Sequence, residues 1–235
     1  MKINTLYKIF LTITLFNQVI AVCDSTCKCG CVEQVKKIER SIDLKRKKMI
    51  RNSNPLYTQK GYELNQALRK LWSDHVIWTR QYITSAIANL ADTKTAAGRL
   101  LKNQEDLGNA MIPYYGVDAG KKLTELLKEH ILIAVKIIDA GKAGNQAKLK
   151  EEDKNWHENA KDIAKFLSGA NPNWKEAEMI SMLNDHLALT TKEVVARLGK
   201  KWNDDVAAYD KIYVQALGMA DGFTQGIVKQ FPEKF

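Results

Sequence analysis

The segment Leu126-Leu-Lys-Glu-His130-Ile131 has two further versions in this chain, Leu71-Trp-Ser-Asp-His75-Val76 and Met182-Leu-Asn-Asp-His186-Leu187. The four prolines, at positions 55, 113, 172 and 232, recur at nearly the same interval as these three histidines. A fixed period of this kind is typical of a repeated supersecondary unit. We therefore expect three units in residues 56–235, over residues 56–113, 114–172 and 173–232.

Apolar residues within each unit recur at helical spacing. In the first unit the intervals alternate between four and three, which predicts one buried helix face, at Leu64, Leu68, Leu71, His75, Trp78 and Tyr82. In the third unit the second helix is expected to bury Trp202, Val206, Tyr209, Tyr213 and Phe223. Sustained alternation with a period of two, the signal of a strand, is absent from the sequence. The pattern predicts an all-α protein, a six-helix bundle built from three repeated antiparallel helical hairpins.

The composition agrees with a globular helical domain. Of the 235 residues, 45% are hydrophobic and 27% are charged, which is an ordinary mixture for a folded protein. This mixture excludes a disordered chain, a collagen and a multi-span membrane protein. The low content of turn-forming residues, 4 prolines and 13 glycines, argues against a loop-rich β architecture.

The formal net charge of +9 is concentrated in one part of the chain. Residues 32–60 hold nine basic and three acidic residues, whereas residues 61–235 hold 24 basic and 23 acidic residues. Residues 32–55 are expected to form a basic amphipathic helix or linker that precedes the bundle. Its cluster Lys45-Arg-Lys-Lys48 is a candidate for contact with an acidic membrane surface or polyanion. Aromatic residues do not interleave with these charges, so no specific nucleic-acid partner is indicated.

The N-terminal segment, over residues 1–21, has the pattern of a secretory signal peptide. Lys2 and Lys8 precede an apolar run over residues 9–16, and small residues follow near position 21. The run is shorter than the ~20 apolar residues that a membrane-spanning helix needs. We expect the protein to be secreted or extracytoplasmic. The alternative is a protein anchored in the membrane through an uncleaved signal.

All four cysteines lie in a short segment, residues 22–31, directly after the predicted signal peptide. They are Cys23, Cys27, Cys29 and Cys31. In an oxidising compartment such cysteines form disulfides, either within the segment or between chains, and the spacing does not separate the three possible pairings. Self-association through this leader is one expected consequence. A thiolate cluster for Cu(I) or Zn(II) is the alternative, and it needs a reducing environment.

His75, His130 and His186 each lie on the apolar face of a predicted helix. A single histidine in that position is ordinarily a core residue that donates a hydrogen bond to a neighbouring carbonyl or carboxylate. Three at matching positions also fit a shared site, since imidazole is a common ligand of Zn, Cu and Fe and three rings leave one coordination position open. The sequence therefore offers a three-histidine metal or ligand site, with packing as the alternative.

Polar residues near the histidines are candidates for supporting positions. Three acids directly precede the histidines and two polar residues lie on the second helices; they are Asp74, Glu129, Asp185, Gln104 and Asp210. Each acid points about 100° away from its histidine on a helix, so it is not expected to bind the same ion. Arg80 and Arg197 are candidates to pair with the acids. His157, one helical turn after Asp153, is expected to form an exposed surface pair with it.

Four segments carry a resemblance to a known group of proteins. They are Leu71-Trp-Ser-Asp-His-Val-Ile-Trp-Thr-Arg80, Asn103-Gln-Glu-Asp-Leu-Gly-Asn109, Leu126-Leu-Lys-Glu-His-Ile131 and Ile227-Val-Lys-Gln-Phe-Pro-Glu-Lys-Phe235. From about Leu71 to Phe235 the chain resembles an uncharacterised family of small bacterial all-helical proteins, some of which carry the label glycosyltransferase. The resemblance implies an all-helical domain and no known catalytic residues. Nothing in these residues supports the glycosyltransferase label.

The motifs of common enzymes are missing from the sequence. The patterns HExxH, GxSxG, GxGxxG and ExxH do not occur. The leading hypothesis is therefore a secreted, non-catalytic helical bundle that binds a metal ion or small ligand at the three histidines. The alternative is a structural or interaction protein, cross-linked or anchored through its cysteines, with the histidines as core packing. A metal enzyme that uses the same histidines is the third hypothesis.

Overall fold

The structure is a computed structural model that describes residue 33, residues 36–44 and residues 58–235. In these residues the only regular secondary structure is helical, as the sequence predicts. Six long helices follow one another: α1 Gln59–Ala88, α2 Thr93–Tyr115, α3 Val117–Lys142, α4 Gln146–Ala170, α5 Glu176–Leu198 and α6 Trp202–Gln230, with a short 3₁₀ turn at Pro232–Lys234. The predicted signal peptide, the four cysteines and Lys45–Lys48 lie outside the described residues.

The chain divides into two units, residues 1–53 and residues 54–235. In the first unit, residues 36–44 are helical, within the range expected for the basic amphipathic helix. Ile38 and Ile42, one helical turn apart, are exposed on this segment.

Local interactions set the helix ends in the second unit. The Thr58 hydroxyl accepts a hydrogen bond from the Gly61 amide at the start of α1, and Asn145 caps the start of α4 through the Lys148 amide. A single residue, Gly116, separates α2 from α3, with φ of 84°. Such a positive φ is accessible to glycine without strain, so the chain reverses there in one step.

The helices close into a ring. Each helix packs against the next one along the chain, and α6 packs back against α1. The two helices of each pair run antiparallel, since a later residue of the first helix contacts an earlier residue of the second. The contacts are Leu71 with Asn103 and Gln81 with Asp92, Leu126 with Asn159 and Lys136 with Glu152, and Met182 with Gln215 and Arg197 with Asp205. The helices α1, α3 and α5 also contact one another. These three helices therefore surround the centre of the bundle, and each of them carries one of the histidines.

Two apolar clusters fill the centre of the second unit. The larger one includes Trp72 and Phe223, whose rings stack with centroids 5.6 Å apart. The smaller one includes Ile83, Leu100 and Val194. Trp72 also packs edge-to-face against His75, with centroids 5.5 Å apart. The layer of the bundle that contains the histidines thus lies between the two clusters.

The prediction of the buried face of α6 is wrong for the first half of this helix. Trp202 and Val206 are more than half exposed, and the neighbouring Asp205 is buried instead. The helix is rotated relative to the prediction because Asp205 pairs with Arg80 and Arg197 inside the bundle. Because a charged residue lies on the buried face, the apolar spacing alone did not predict that face. It continues from Asp205 through Ala208 and Ile212.

Within the part of the chain that the structure describes, none of the helices combines the length and the hydrophobicity that crossing a membrane requires.

Candidate functional site

The structure brings the three predicted histidines together in the middle of the bundle. His75 on α1, His130 on α3 and His186 on α5 are each almost fully buried. The ring centroids of His75 and His186 are 5.8 Å apart. All three rings line one cavity of about 290 Å³. The repeated position on three central helices is what directs the rings to a common space.

A side-chain amide on α4 fixes the orientation of His130. The Nδ1 atom of His130 lies 2.8 Å from Oδ1 of Asn159. The Asn159 amide nitrogen lies 3.2 Å from the Leu126 carbonyl oxygen and 3.2 Å from Oε2 of Glu129. Both of these oxygens are acceptors, so the amide nitrogen must face them and the amide oxygen must face the imidazole. His130 therefore donates from Nδ1.

His186 is held in the same way by an amide on α6. Its Nδ1 atom lies 3.0 Å from Oε1 of Gln215, and the Gln215 nitrogen donates to the Met182 carbonyl oxygen over 3.1 Å. The backbone carbonyl again determines which end of the amide meets the ring. His186 consequently also donates from Nδ1.

His75 lies beside two amides of α2. Its Nδ1 atom is 3.3 Å from Nε2 of Gln104, and Gln104 also donates to the Leu100 carbonyl oxygen over 2.8 Å. Asn103 donates to the Leu71 carbonyl oxygen over 3.0 Å and hydrogen-bonds the His75 side chain. Gln104, expected near the polar centre, is thus in contact with a histidine.

Sequence reasoning missed the amides that support the histidines. Asn103, Asn159 and Gln215 each donate to a backbone carbonyl one helical turn before a histidine. These three amides are equally spaced along the chain, with almost the same period as the histidines. The period was therefore available as a signal, although amide side chains on a helix are ordinarily assigned to its solvent face.

Burial makes the three imidazoles poor bases. Loss of hydration lowers the pKa of His75 to about 3, with help from the neighbouring histidines His186 and His130. Burial lowers the pKa of His130 to about 4, and it also lowers the pKa of His186. The amide hydrogen bonds act in the opposite direction and are outweighed. All three rings are therefore neutral at pH 7.

The cavity walls are mostly apolar. Aliphatic and aromatic side chains from α1 to α5 form them; they include Ile83, Leu100, Ile131, Ala134, Ile137, Leu149, Trp156 and Val194. Trp156 packs against His130 with ring centroids 5.2 Å apart. Its indole Nε1, a buried donor, has no hydrogen-bond acceptor among the described residues. The interior thus offers imidazole groups within an apolar enclosure.

The cavity reaches the surface between α4 and α5. Gln146, Lys150 and Asp153 of α4 and Thr191 and Val195 of α5 line it and are exposed. The charged lining residues in the described chain, Lys150 and Asp153, are thus at this opening. His157 lies outside the cavity lining, and its Nδ1 is 3.8 Å from the Asp153 carboxylate.

The flanking acids do not form a shared set around the histidines. Asp74 pairs with Lys70 and Arg99, at 2.6 and 3.5 Å. Glu129 touches the site indirectly, through Asn159. Asp185 and Asp210 are exposed. Each acid directly precedes its histidine and so points around the helix, and Asp210 lies on the outer side of α6.

Arg80 and Arg197 pair with acids other than those expected. Arg80 donates to Glu193 over 2.6 Å and to Asp205 over 3.0 and 3.2 Å, and Arg197 donates to Asp205 over 2.7 Å. Glu193 and Asp205 are almost fully buried. Burial raises the pKa of Glu193 to about 7, against the effect of Arg80. This network ties α1, α5 and α6 together.

The metal site predicted at the histidines has no ready-made donor cluster. Among residues 33, 36–44 and 58–235, no group of three or more His, Cys, Asp or Glu side chains could hold a metal ion. Binding of Zn, Cu or Fe by His75, His130 and His186 stays a prediction.

Comparison with known proteins gave no match among protein-family models, curated proteins or solved structures. The resemblance to small bacterial helical proteins stays a prediction, and any functional argument has to come from the site itself. The site combines a partly enclosed apolar cavity with neutral imidazoles whose Nδ1 atoms are already engaged. Chemically, this arrangement can surround an uncharged molecule and bind one polar group of it.

Proposed function

We propose that this chain is an exported, non-catalytic binding protein that holds a small, uncharged molecule in the cavity among His75, His130 and His186. The observation that supports this most directly is a cavity of about 290 Å³ with apolar walls and three convergent imidazoles. A partly enclosed apolar pocket with a few convergent polar groups is the usual form of a ligand site. An apolar cavity of about 150 Å³ holds benzene in another protein, so this cavity has room for a larger aromatic molecule.

We propose further that the three hairpins, α1–α2, α3–α4 and α5–α6, are copies of one unit. The equivalent histidines, the equally spaced amides and the equivalent amide-to-carbonyl contacts support this. Three copies of a buried histidine then give a three-sided site at the centre. The site is a consequence of the repetition, and no single unit contains it.

Ligand binding is tested by titrating the full chain with p-xylene and p-cresol and following amide chemical shifts by NMR. We expect saturable shifts at residues that line the cavity. The variant Ala134→Phe fills the cavity from α3 and should abolish binding of both probes. Ala188→Phe, at an exposed position of α5, is the matched control and should bind like the parent.

Two results would overturn the proposed function. One is the absence of saturable binding of either probe by the parent protein. The other is binding that Ala134→Phe leaves unchanged, since the probe would then occupy a different place.

A metal ion is the second candidate ligand, supported by the 5.8 Å separation of the His75 and His186 rings. The Nδ1 atoms of His130 and His186 donate to amides, which leaves the Nε2 atoms as the ligating atoms. Titration with Zn²⁺ alone distinguishes this candidate. Stoichiometric binding that is lost in His75→Ala and kept in His157→Ala would favour the metal over the organic ligand.

The N-terminal region supports separate proposals. We propose that residues 1–21 direct export, that Cys23, Cys27, Cys29 and Cys31 form disulfides, and that Lys45–Lys48 contact an acidic surface. Covalent multimers on a non-reducing gel would favour the alternative function, a structural or interaction protein joined through its cysteines. A monomer band both without and with reductant would favour disulfides within one chain, in a local disulfide knot.

A further inference from the structure

The amide partners determine which nitrogen of each imidazole carries the proton. Asn159 presents its oxygen to His130, and Gln215 presents its oxygen to His186, because backbone carbonyls hold the two amide nitrogens. A neutral imidazole has one N–H, so when Nδ1 donates, Nε2 has only a lone pair. Both rings are therefore fixed as hydrogen-bond acceptors at Nε2.

These Nε2 atoms are available to a ligand. Both rings are more than nine-tenths buried and line the cavity. No described residue hydrogen-bonds to Nε2 of His130 or His186. Each Nε2 lone pair thus lacks a protein partner, and a ligand that supplies a donor gives it one. The site thus favours a ligand that can donate a hydrogen bond.

The interior favours an uncharged donor group. A hydroxyl group donates a hydrogen bond without carrying a charge, whereas a carboxylate only accepts. An ammonium group also donates, but it would bring an unpaired charge into an apolar enclosure.

We infer that the ligand is an apolar molecule with a hydroxyl group, and that this hydroxyl donates to Nε2 of His130 or His186. This inference rests on the proposed function and names the chemical class of its ligand. The charged lining residues, Lys150 and Asp153, are at the opening, so the interior provides no counter-charge for an ionised ligand.

The test compares p-cresol with p-xylene, which have nearly the same shape and differ by a hydroxyl in place of a methyl group. We expect the parent protein to bind p-cresol about tenfold more tightly than p-xylene, because a hydrogen bond to Nε2 that only p-cresol can form is worth about that much. Binding of p-xylene as tight as or tighter than that of p-cresol would overturn the inference and leave the proposed function intact. Absence of binding by both would overturn the proposed function and the inference with it.

Two further readouts keep the test independent of any folding defect. Long-range ¹H–¹⁵N spectra of the unaltered protein should show His130 and His186 protonated at Nδ1, and protonation at Nε2 would contradict the inference. The double variant His130→Phe/His186→Phe, which removes both acceptors and keeps ring-shaped side chains, should reduce the preference for p-cresol while p-xylene still binds. The matched control is His157→Phe, outside the cavity lining, which should keep the preference.

Discussion

Asn159 is the residue on which the geometry of His130 depends. Asn159→Leu removes the acceptor for the imidazole N–H and the donor for the Leu126 carbonyl, and both groups stay buried. We expect the free energy of unfolding to fall by about 1–3 kcal/mol, measured by urea denaturation. Asn109→Leu, at an exposed position of α2, should change it by less than about 0.5 kcal/mol. Equal effects of the two substitutions would contradict the account.

The buried histidines make stability depend on pH. Their pKa values are lowered in the folded state, to about 3 for His75 and about 4 for His130, so the unfolded chain binds more protons below pH 6.5. The contribution of these neutral histidines to the free energy of unfolding is complete above pH 6.5 and is lost as the pH falls. Glu193, with its pKa raised to about 7, acts in the opposite direction.

The histidine contribution is isolated by comparing variants between pH 7 and pH 5. In this interval one buried neutral histidine accounts for about 2 kcal/mol of lost stability. Between pH 7 and pH 5, the free energy of unfolding of His130→Gln, measured by urea denaturation, should therefore fall by about 2 kcal/mol less than that of the parent. Asn109→Gln, at an exposed position without a titratable group, should match the parent. A parent-like pH dependence of His130→Gln would show that His130 is not buried in its neutral form.

At the scale of helices, a pair of glycines sets the distance between α2 and α3. A Cβ atom on Gly108 would lie 2.5 Å from the Gly120 carbonyl oxygen and would also overlap Thr124. Gly108→Ala should therefore destabilise the protein by about 1–3 kcal/mol in urea denaturation. Gly98→Ala in the same helix meets nothing within 4 Å and should stabilise by about 0.5–1 kcal/mol. Stabilisation by both would mean that helix propensity, and not close approach, governs these positions.

The pairing of Arg80 is the second contact between helices that can be tested. Arg80→Gln leaves Glu193 and Asp205 buried together with less positive charge beside them. We expect a loss of about 3–5 kcal/mol in the free energy of unfolding. Arg69→Gln, in the same helix, breaks a partly exposed pair with Asp221 and should cost less than about 1 kcal/mol. A small effect of Arg80→Gln would contradict the buried network.

At the scale of the whole molecule, the helical fold and the histidine positions could be predicted because they depend on spacing along single helices. The apolar intervals of four and three place His75 on the buried face of α1, and the repeat period extends this to α3 and α5. Contacts between distant residues could not be predicted in this way. Arg80 and Asp205 pair across more than half of the chain, and this pairing is the reason that a charged residue is buried at the start of α6.

The closed ring explains why three helices share one site. The helices α1, α3 and α5 meet in the centre while α2, α4 and α6 each pack between two of them, and the latter helices supply the amides. The orientation of each imidazole therefore depends on a helix that does not carry it. A sequence pattern within one helix contains no information about that partner, which is why the amides were missed.

The most direct test of the central claim is the imidazole ¹⁵N spectrum of the protein during a titration with p-cresol. We expect the Nε2 resonances of His130 or His186 to shift saturably, while the Nδ1 resonances stay those of protonated nitrogen and the resonances of His157 stay unchanged. Saturable binding without any change at Nε2 of these two rings would place the ligand elsewhere. That result would contradict a binding site built from the buried histidines.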